Sequence, residues 1–250
     1  MQSFCTEYWR QRNWSANFYI DEFTIILHSI PFPYGKLQDL SIDALQYNFS
    51  NAVNWSAVHC LTYKTAAVIS PPLLQAITET FKNLTTLVFD SQVDLSYSNV
   101  ILHNVKSLQL NSPMKKTFLK SIFSITPNVK ILKMDGTQLL AYTPRLPLTS
   151  LHVMGASMSQ FHGYIVNYPA LEVLQITCNS NTNASCQISV IKLFDYMKYL
   201  CSLSITVRPD RNPYATVHSS SSVLKDIAES VGTSKNMHCR KQTGYIQIWR

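Results

Sequence analysis

A six-residue pattern, apolar-x-x-Leu-x-apolar, recurs eight times between residues 37 and 205, with leucine at its fourth position in every copy. The copies are Leu37-Leu40-Ile42, Val58-Leu61-Tyr63, Leu84-Leu87-Phe89, Val105-Leu108-Leu110, Val129-Leu132-Met134, Leu148-Leu151-Val153, Leu171-Leu174-Ile176 and Leu200-Leu203-Ile205. Their first positions recur every 19 to 29 residues, about 23 on average. A unit that short cannot enclose a core of its own, so neighbours must stack. The period predicts a solenoid.

The Leu-x-apolar pair alternates as a short strand requires, and each unit then continues into a segment with helical spacing. Ser70, Pro71 and Pro72 read as an N-cap and helix start, with Leu73, Leu74, Ile77 and Phe81 as the buried stripe of a helix over about 72 to 82. Ser112 and Pro113 repeat the start signal ahead of Phe118, Leu119, Ile122 and Phe123, and Thr126-Pro127-Asn128 ends that helix. Ile188, Ile191, Leu193, Phe194 and Met197 give another stripe, and Phe161, Tyr164 and Ile165 a shorter one. Strand and helix are therefore expected to alternate, with the strands in one parallel sheet.

Residues 1–35 lack the pattern but are dense in aromatic and aliphatic side chains, from Tyr8 and Trp9 to Ile26 and Leu27, which suits an N-terminal cap. Residues 36–206 hold the repeats. Residues 207–250 read as a C-terminal cap, with a helix at Val223, Leu224, Ile227 and Ala228 and a last strand, Tyr245-Ile246-Gln247-Ile248-Trp249.

Phrases such as Thr126-Pro127-Asn128-Val129-Lys130-Ile131-Leu132 and Tyr168-Pro169-Ala170-Leu171-Glu172-Val173-Leu174 resemble the opening of leucine-rich repeats, in particular the irregular, helix-containing repeats of F-box and ribonuclease-inhibitor-like proteins. The resemblance covers roughly residues 37–206. It implies an α/β horseshoe with a parallel concave sheet and helices or irregular segments on the convex side. It also implies substrate recognition in an F-box-type ubiquitin ligase, with a Skp1-like adaptor as partner wherever an F-box is present. Residues 1–35 carry no Leu-Pro-x-Glu opening of that motif. Eight residues past each first apolar position, where such repeats place Asn or Cys, stand Leu45, Ala66, Gln92, Pro113, Thr137, Ala156, Asn179 and Arg208, so no asparagine ladder is expected there.

Hydrophobic residues make up 46% of the 250, which excludes a disordered polymer, while charged residues are only 14%, leaving much of the surface neutral. The net charge of +7 is not gathered into one stripe. Lys115, Lys116 and Lys120 are its densest group, followed by a tail with Arg240 and Lys241, so nucleic acid is not the expected partner. The six cysteines show no CxxC spacing, and Met1–Arg12 is polar where a secretory leader is apolar. No apolar run of 18 residues occurs, so neither a membrane span nor export is expected, and the compartment reads as cytoplasm or nucleus. The sequons at Asn13, Asn48, Asn54, Asn83 and Asn183 are then silent.

No phosphate loop, nucleophile elbow or convergent histidine set is present, so no cofactor, metal or catalytic residue is expected. With the leucines turned inward, the intervening residues face the concave side. The column after each unit's last apolar residue begins Asp43, Lys64, Asp90, Asn111, Asp135, Met154, and Lys133 and His152 stand beside it. Asp39, Asp43, Asp90 and Asp135 outnumber Lys64 and Lys133 on that face, which disfavours a phosphate backbone and points to a peptide or protein partner. The expectation is a noncatalytic recognition module. A protein-binding scaffold or inhibitor without a ubiquitin role is the alternative, ahead of a basic nucleic-acid-associated protein.

Overall fold

A computed structural model describes residues 15–20, 25–30, 36–38, 56–64, 67–95, 98–142, 144–155, 167–179, 197–208, 225, 228–229, 237–242 and 245–249. The fold is mixed α/β, with one large, mostly parallel sheet and few helices. Strands β3 (Lys36–Gln38), β4 (Cys60–Tyr63), β6 (Thr86–Phe89), β8 (Ser107–Leu110), β9 (Ile131–Asp135), β10 (Ser150–Met154), β11 (Val173–Asn179) and β12 (Ser202–Arg208) lie side by side in chain order, all parallel. Beyond β12 the chain adds β14 (Tyr245–Trp249) and then β13 (His238–Gln242), both antiparallel. β1 (Ser15–Ile20) and β2 (Ile25–Ile30) form a separate antiparallel hairpin, and β5 (Ala67–Ile69) pairs with β7 (Val93–Leu95) in a small parallel sheet.

The register puts the repeat leucines in one row. Leu61, Leu87, Leu108, Leu132, Leu151, Leu174 and Leu203 are each paired with the next across the sheet, and every one is buried. The last apolar positions from Tyr63 to Ile205 and the first from Val58 to Leu200 are buried too. Side chains two apart on a strand share a face, so the pleat turns the leucines and the last apolar positions to one side, while the first positions are buried just ahead of each strand. Helix α1 (Pro71–Thr80) brings Leu73, Leu74 and Ile77 to the same core, and α2 (Lys116–Ile125) brings Phe118, Leu119, Ile122, Phe123 and Ile125. Phe89 stacks on Tyr63 at 5.5 Å between ring centroids and meets Phe118 edge-on at 5.2 Å, tying strand and helix layers together.

Strands β6, β8, β9, β10, β11 and β12 are entered in the same way. A carbonyl one unit back accepts from two successive amides: His59 from Thr85 and Thr86, Thr85 from Lys106 and Ser107, and so on through Lys106, Lys130, Thr149 and Glu172. This shared acceptor locks the offset between neighbouring units, because a one-residue slip would turn every leucine to the other face.

Three expectations are corrected. In the first unit Leu37, not Leu40, pairs with Leu61, so the strand lies three residues earlier than the pattern suggests. Helix α2 begins at Lys116 with Lys115 as its N-cap, not at Ser112-Pro113; the Ser112 side chain, which as a cap would accept from a helix amide, is turned to donate to the Asp90 carbonyl. Between β6 and β8 the described residues form strand β7 rather than a helix. Val93-Asp94-Leu95 alternates, with Val93 buried and Asp94 exposed, and β5 supplies its partner. The helix ending at Thr80 and the last strand, β14, occur as expected, with Ile246 and Ile248 buried. The helical stripes at 161–165 and 188–196 lie outside the described residues, as do Val223, Leu224, Ile227, Asp39 and Asp43, while Lys225, Ala228 and Glu229 of the expected C-terminal helix are helical and Ala228 packs against the core. Among the described residues no helix is long and apolar enough to cross a membrane.

Candidate functional site

On the sheet face opposite the leucines, side chains from eight of the ten strands form three rows, most of them half-buried or exposed, with Cys60, Thr177 and Ser204 buried. The first row runs Cys60, Thr86, Ser107, Ile131, Ser150, Val173, Ser202, Trp249. The second runs Thr62, Val88, Gln109, Lys133, His152, Gln175, Ser204, Gln247. The third starts at Lys64, Asp90 and Asn111, and continues through Asp135, Met154, Thr177, Thr206 and Tyr245. Strand spacing of ~4.8 Å and a two-residue rise of ~6.7 Å make this grid about 34 Å by 13 Å. That is roughly 440 Å² in projection, about half of one partner's share of a standard protein interface.

Of the sequence-predicted site residues, Lys64, Asp90, Asn111, Lys133, Asp135, His152 and Met154 are brought onto this one face. Asp43 is not among the described residues, and the observed register of β3 is not the one that would carry it opposite Lys64. That register instead sets Lys36 opposite Cys60, and Arg240 stands opposite Gln247, so the described face holds Asp90 and Asp135 against Lys36, Lys64, Lys133 and Arg240. The expected acidic excess, and the argument it made against phosphate, do not survive this register.

Two of the carboxylates are also engaged. The Asn111 side-chain amide donates to Asp90 Oδ1, joining neighbouring strands. Asp135 caps α3 (Gly136–Ala141), accepting from the Thr137 backbone amide at 2.9 Å and from the Thr137 hydroxyl. Asp135 is therefore a structural cap as well as a surface group, a role its spacing in the repeat did not reveal. Gly155 lies beside it with φ of +67°, a conformation that suits glycine, and a Cβ there would stand 3.3 Å from Asp135 Oδ2. On the next strands, His152 Nε2 lies 3.1 Å from Thr177 Oγ1, and Ser204 Oγ 3.3 Å from the Tyr245 hydroxyl. The half of the grid from β10 to β14 carries His152 but no Asp, Glu, Lys or Arg.

A second set of residues was missed in the sequence. Asn83, Asn104 and Asn128 each precede a unit's first apolar residue, and each side-chain amide donates to a backbone carbonyl of the unit before: Ser56 at 2.7 Å, Lys82 at 3.0 Å and His103 at 3.0 Å. The signal was present as Asn-Leu, Asn-Val and Asn-Val, directly before the repeat rather than eight residues into it. The Asn83 amide that a sequon would offer for glycosylation is thus part of the fold.

The basic residues do not converge. Lys115 pairs with Asp94 at 2.9 Å, both well exposed, while Lys116 and Lys120 stand on α2. Arg240 and Lys241 lie on the edge strand β13, six strand positions from β8, or about 29 Å away. Charge on an edge strand discourages pairing with other chains, which gives these two a structural use. Among the described residues no three His, Cys, Asp or Glu side chains gather as a metal site would require. No family model, curated protein or solved structure matches this chain.

Proposed function

We propose that this chain is a noncatalytic recognition protein whose units stack as a leucine-rich-repeat solenoid and whose sheet face opposite the leucines binds a protein partner. The observation that carries the reading is the pairing of seven repeat leucines in one buried row, which leaves the intervening side chains as an ordered grid on the other face. A grid of hydroxyls and amides around Val88, Ile131, Val173 and Met154 offers hydrogen bonds and modest apolar anchors, with Lys36 and Arg240 at its two ends adding a slight basic excess. Its 34 Å run across the strands matches about ten residues of extended chain. Substrate recognition within an F-box-type ubiquitin ligase is the more specific form of this proposal, and it rests on the resemblance of the repeats alone.

Affinity purification of the full chain with quantitative mass spectrometry tests both levels. The variant Ile131→Asp with Lys133→Glu changes two neighbouring positions of the grid, and Lys120→Glu on α2 serves as the control. A partner lost with the first variant and kept with the second supports the reading, once circular dichroism shows both are folded. A partner list indifferent to the grid variant refutes it. Recovery of a Skp1-like adaptor supports the ligase form, and its absence alongside a grid-dependent partner favours the scaffold.

A further inference from the structure

The segment that fails to become helix before α2 has a sequence of its own. Four of the chain's eleven prolines follow a Ser or Thr: at Ser70, Ser112, Thr126 and Thr143. Only Ser112 has a basic residue three positions on, in Ser112-Pro113-Met114-Lys115-Lys116. The other positions are put to different use or lack the base: Ser70 caps α1 and accepts from the Leu73 amide, and Thr126 is buried with its hydroxyl bonded to the Ile122 carbonyl.

Ser112–Lys115 lies outside helix and strand, and Lys115 has extended backbone angles, φ −63° and ψ 144°. Pro113 and Lys115 are exposed, while Met114 between them is buried and its carbonyl accepts from the Gln138 side chain at 2.6 Å. The segment is thus held extended and anchored by the one side chain a reader of positions zero, one and three would not need. Among the described residues the half-buried Ser112 hydroxyl is tied to the Asp90 carbonyl alone, a single bond to break.

We propose that Ser112 is a phosphoacceptor for a proline-directed kinase that also selects a base three residues after the acceptor. The γ-phosphoryl group of MgATP is transferred to Ser112 Oγ as its bond to the ADP oxygen breaks, and the hydroxyl proton leaves to the kinase's base. The product carries a charge near −2 beside Lys115, which is paired with Asp94, and Lys116, and ahead of α2, whose N-cap, unlike those of α1 and α3, makes no side-chain capping bond. It also removes the donor to Asp90, next to the Asp90–Asn111 contact on the sheet face.

The test is incubation of the folded full chain with MgATP and a purified cyclin-dependent kinase, followed by intact mass and peptide mapping. Wild type takes up one phosphate on Ser112, Ser112→Ala takes up none, and Lys115→Ala, which keeps the hydroxyl, reacts about tenfold more slowly. Amide exchange of residues 111–118 changes on phosphorylation while that of β11 and β12 does not. No transfer to the folded chain, transfer only after urea denaturation, uptake that persists in Ser112→Ala, or an unchanged rate in Lys115→Ala overturns the proposal.

Discussion

Ile131 and Leu132 are chain neighbours on β9 with opposite fates, and truncating each to alanine tests the assignment of the two sheet faces. Leu132 is 0% exposed and sits in the middle of the leucine row, paired on its two sides with Leu108 and Leu151, themselves 0% exposed. Its loss removes the transfer free energy of a fully buried side chain and leaves a cavity that two immobile neighbours cannot fill, so about 3 to 5 kcal/mol is expected. Ile131 is 45% exposed on the other face. Only about half of the ~1.5 to 3 kcal/mol of a buried aliphatic chain is at stake there, with no cavity term, giving about 1 kcal/mol. Urea unfolding followed by circular dichroism reads both. In a chain of this size each kcal/mol moves Tm by ~2 to 4 °C, so Leu132→Ala lowers it by about 10 °C and Ile131→Ala by about 3 °C. Equal losses, or a larger loss at Ile131, would refute the assignment of buried and open faces.

Three further outcomes are expected. Asn104→Ala removes the bond to the Lys82 carbonyl and costs about 1 kcal/mol, and Asn104→Asp costs more because a carboxylate then faces that oxygen; urea midpoints measure both. Gly155→Ala is strained by φ and crowded by Asp135 Oδ2, and lowers stability by about 1 to 2 kcal/mol, with Gly155→Asn milder because asparagine tolerates the left-handed region. Tyr168 is 2% exposed with its hydroxyl unpartnered, and burial pushes the phenol's pKa upward, so the unfolded chain gives up this proton near pH 10 while the folded chain keeps it. Stability from this group is therefore intact below pH 10 and falls as pH rises above it; Tyr168→Phe removes that part of the alkaline loss and is neutral or stabilising at pH 7, as thermal melts from pH 7 to 11 would show.

The buried row was legible because a strand's two-residue alternation is local: Leu-x-apolar carries its own face assignment wherever the unit recurs. The α2 stripe from Phe118 to Ile125 was legible for the same reason, at helical spacing. The start of α2 was not, since Ser112 offers the same hydroxyl to a helix amide or to the Asp90 carbonyl, and only a strand from the preceding unit supplies the second. Nor was β13, whose five residues are all exposed and give no apolar alternation to read.

From the amino-acid order alone came the period, the inward leucines and the rows of side chains between them, because each depends on contacts within one strand or one helical turn. Tertiary pairing decided that Leu37 rather than Leu40 meets Leu61, that Asp135 caps a helix, and that three asparagines hold the turn of the unit before. Those outcomes depend on which carbonyl or amide arrives from a segment some twenty residues away. Leu37 and Leu40 fit the pattern equally well until β4 stands beside them.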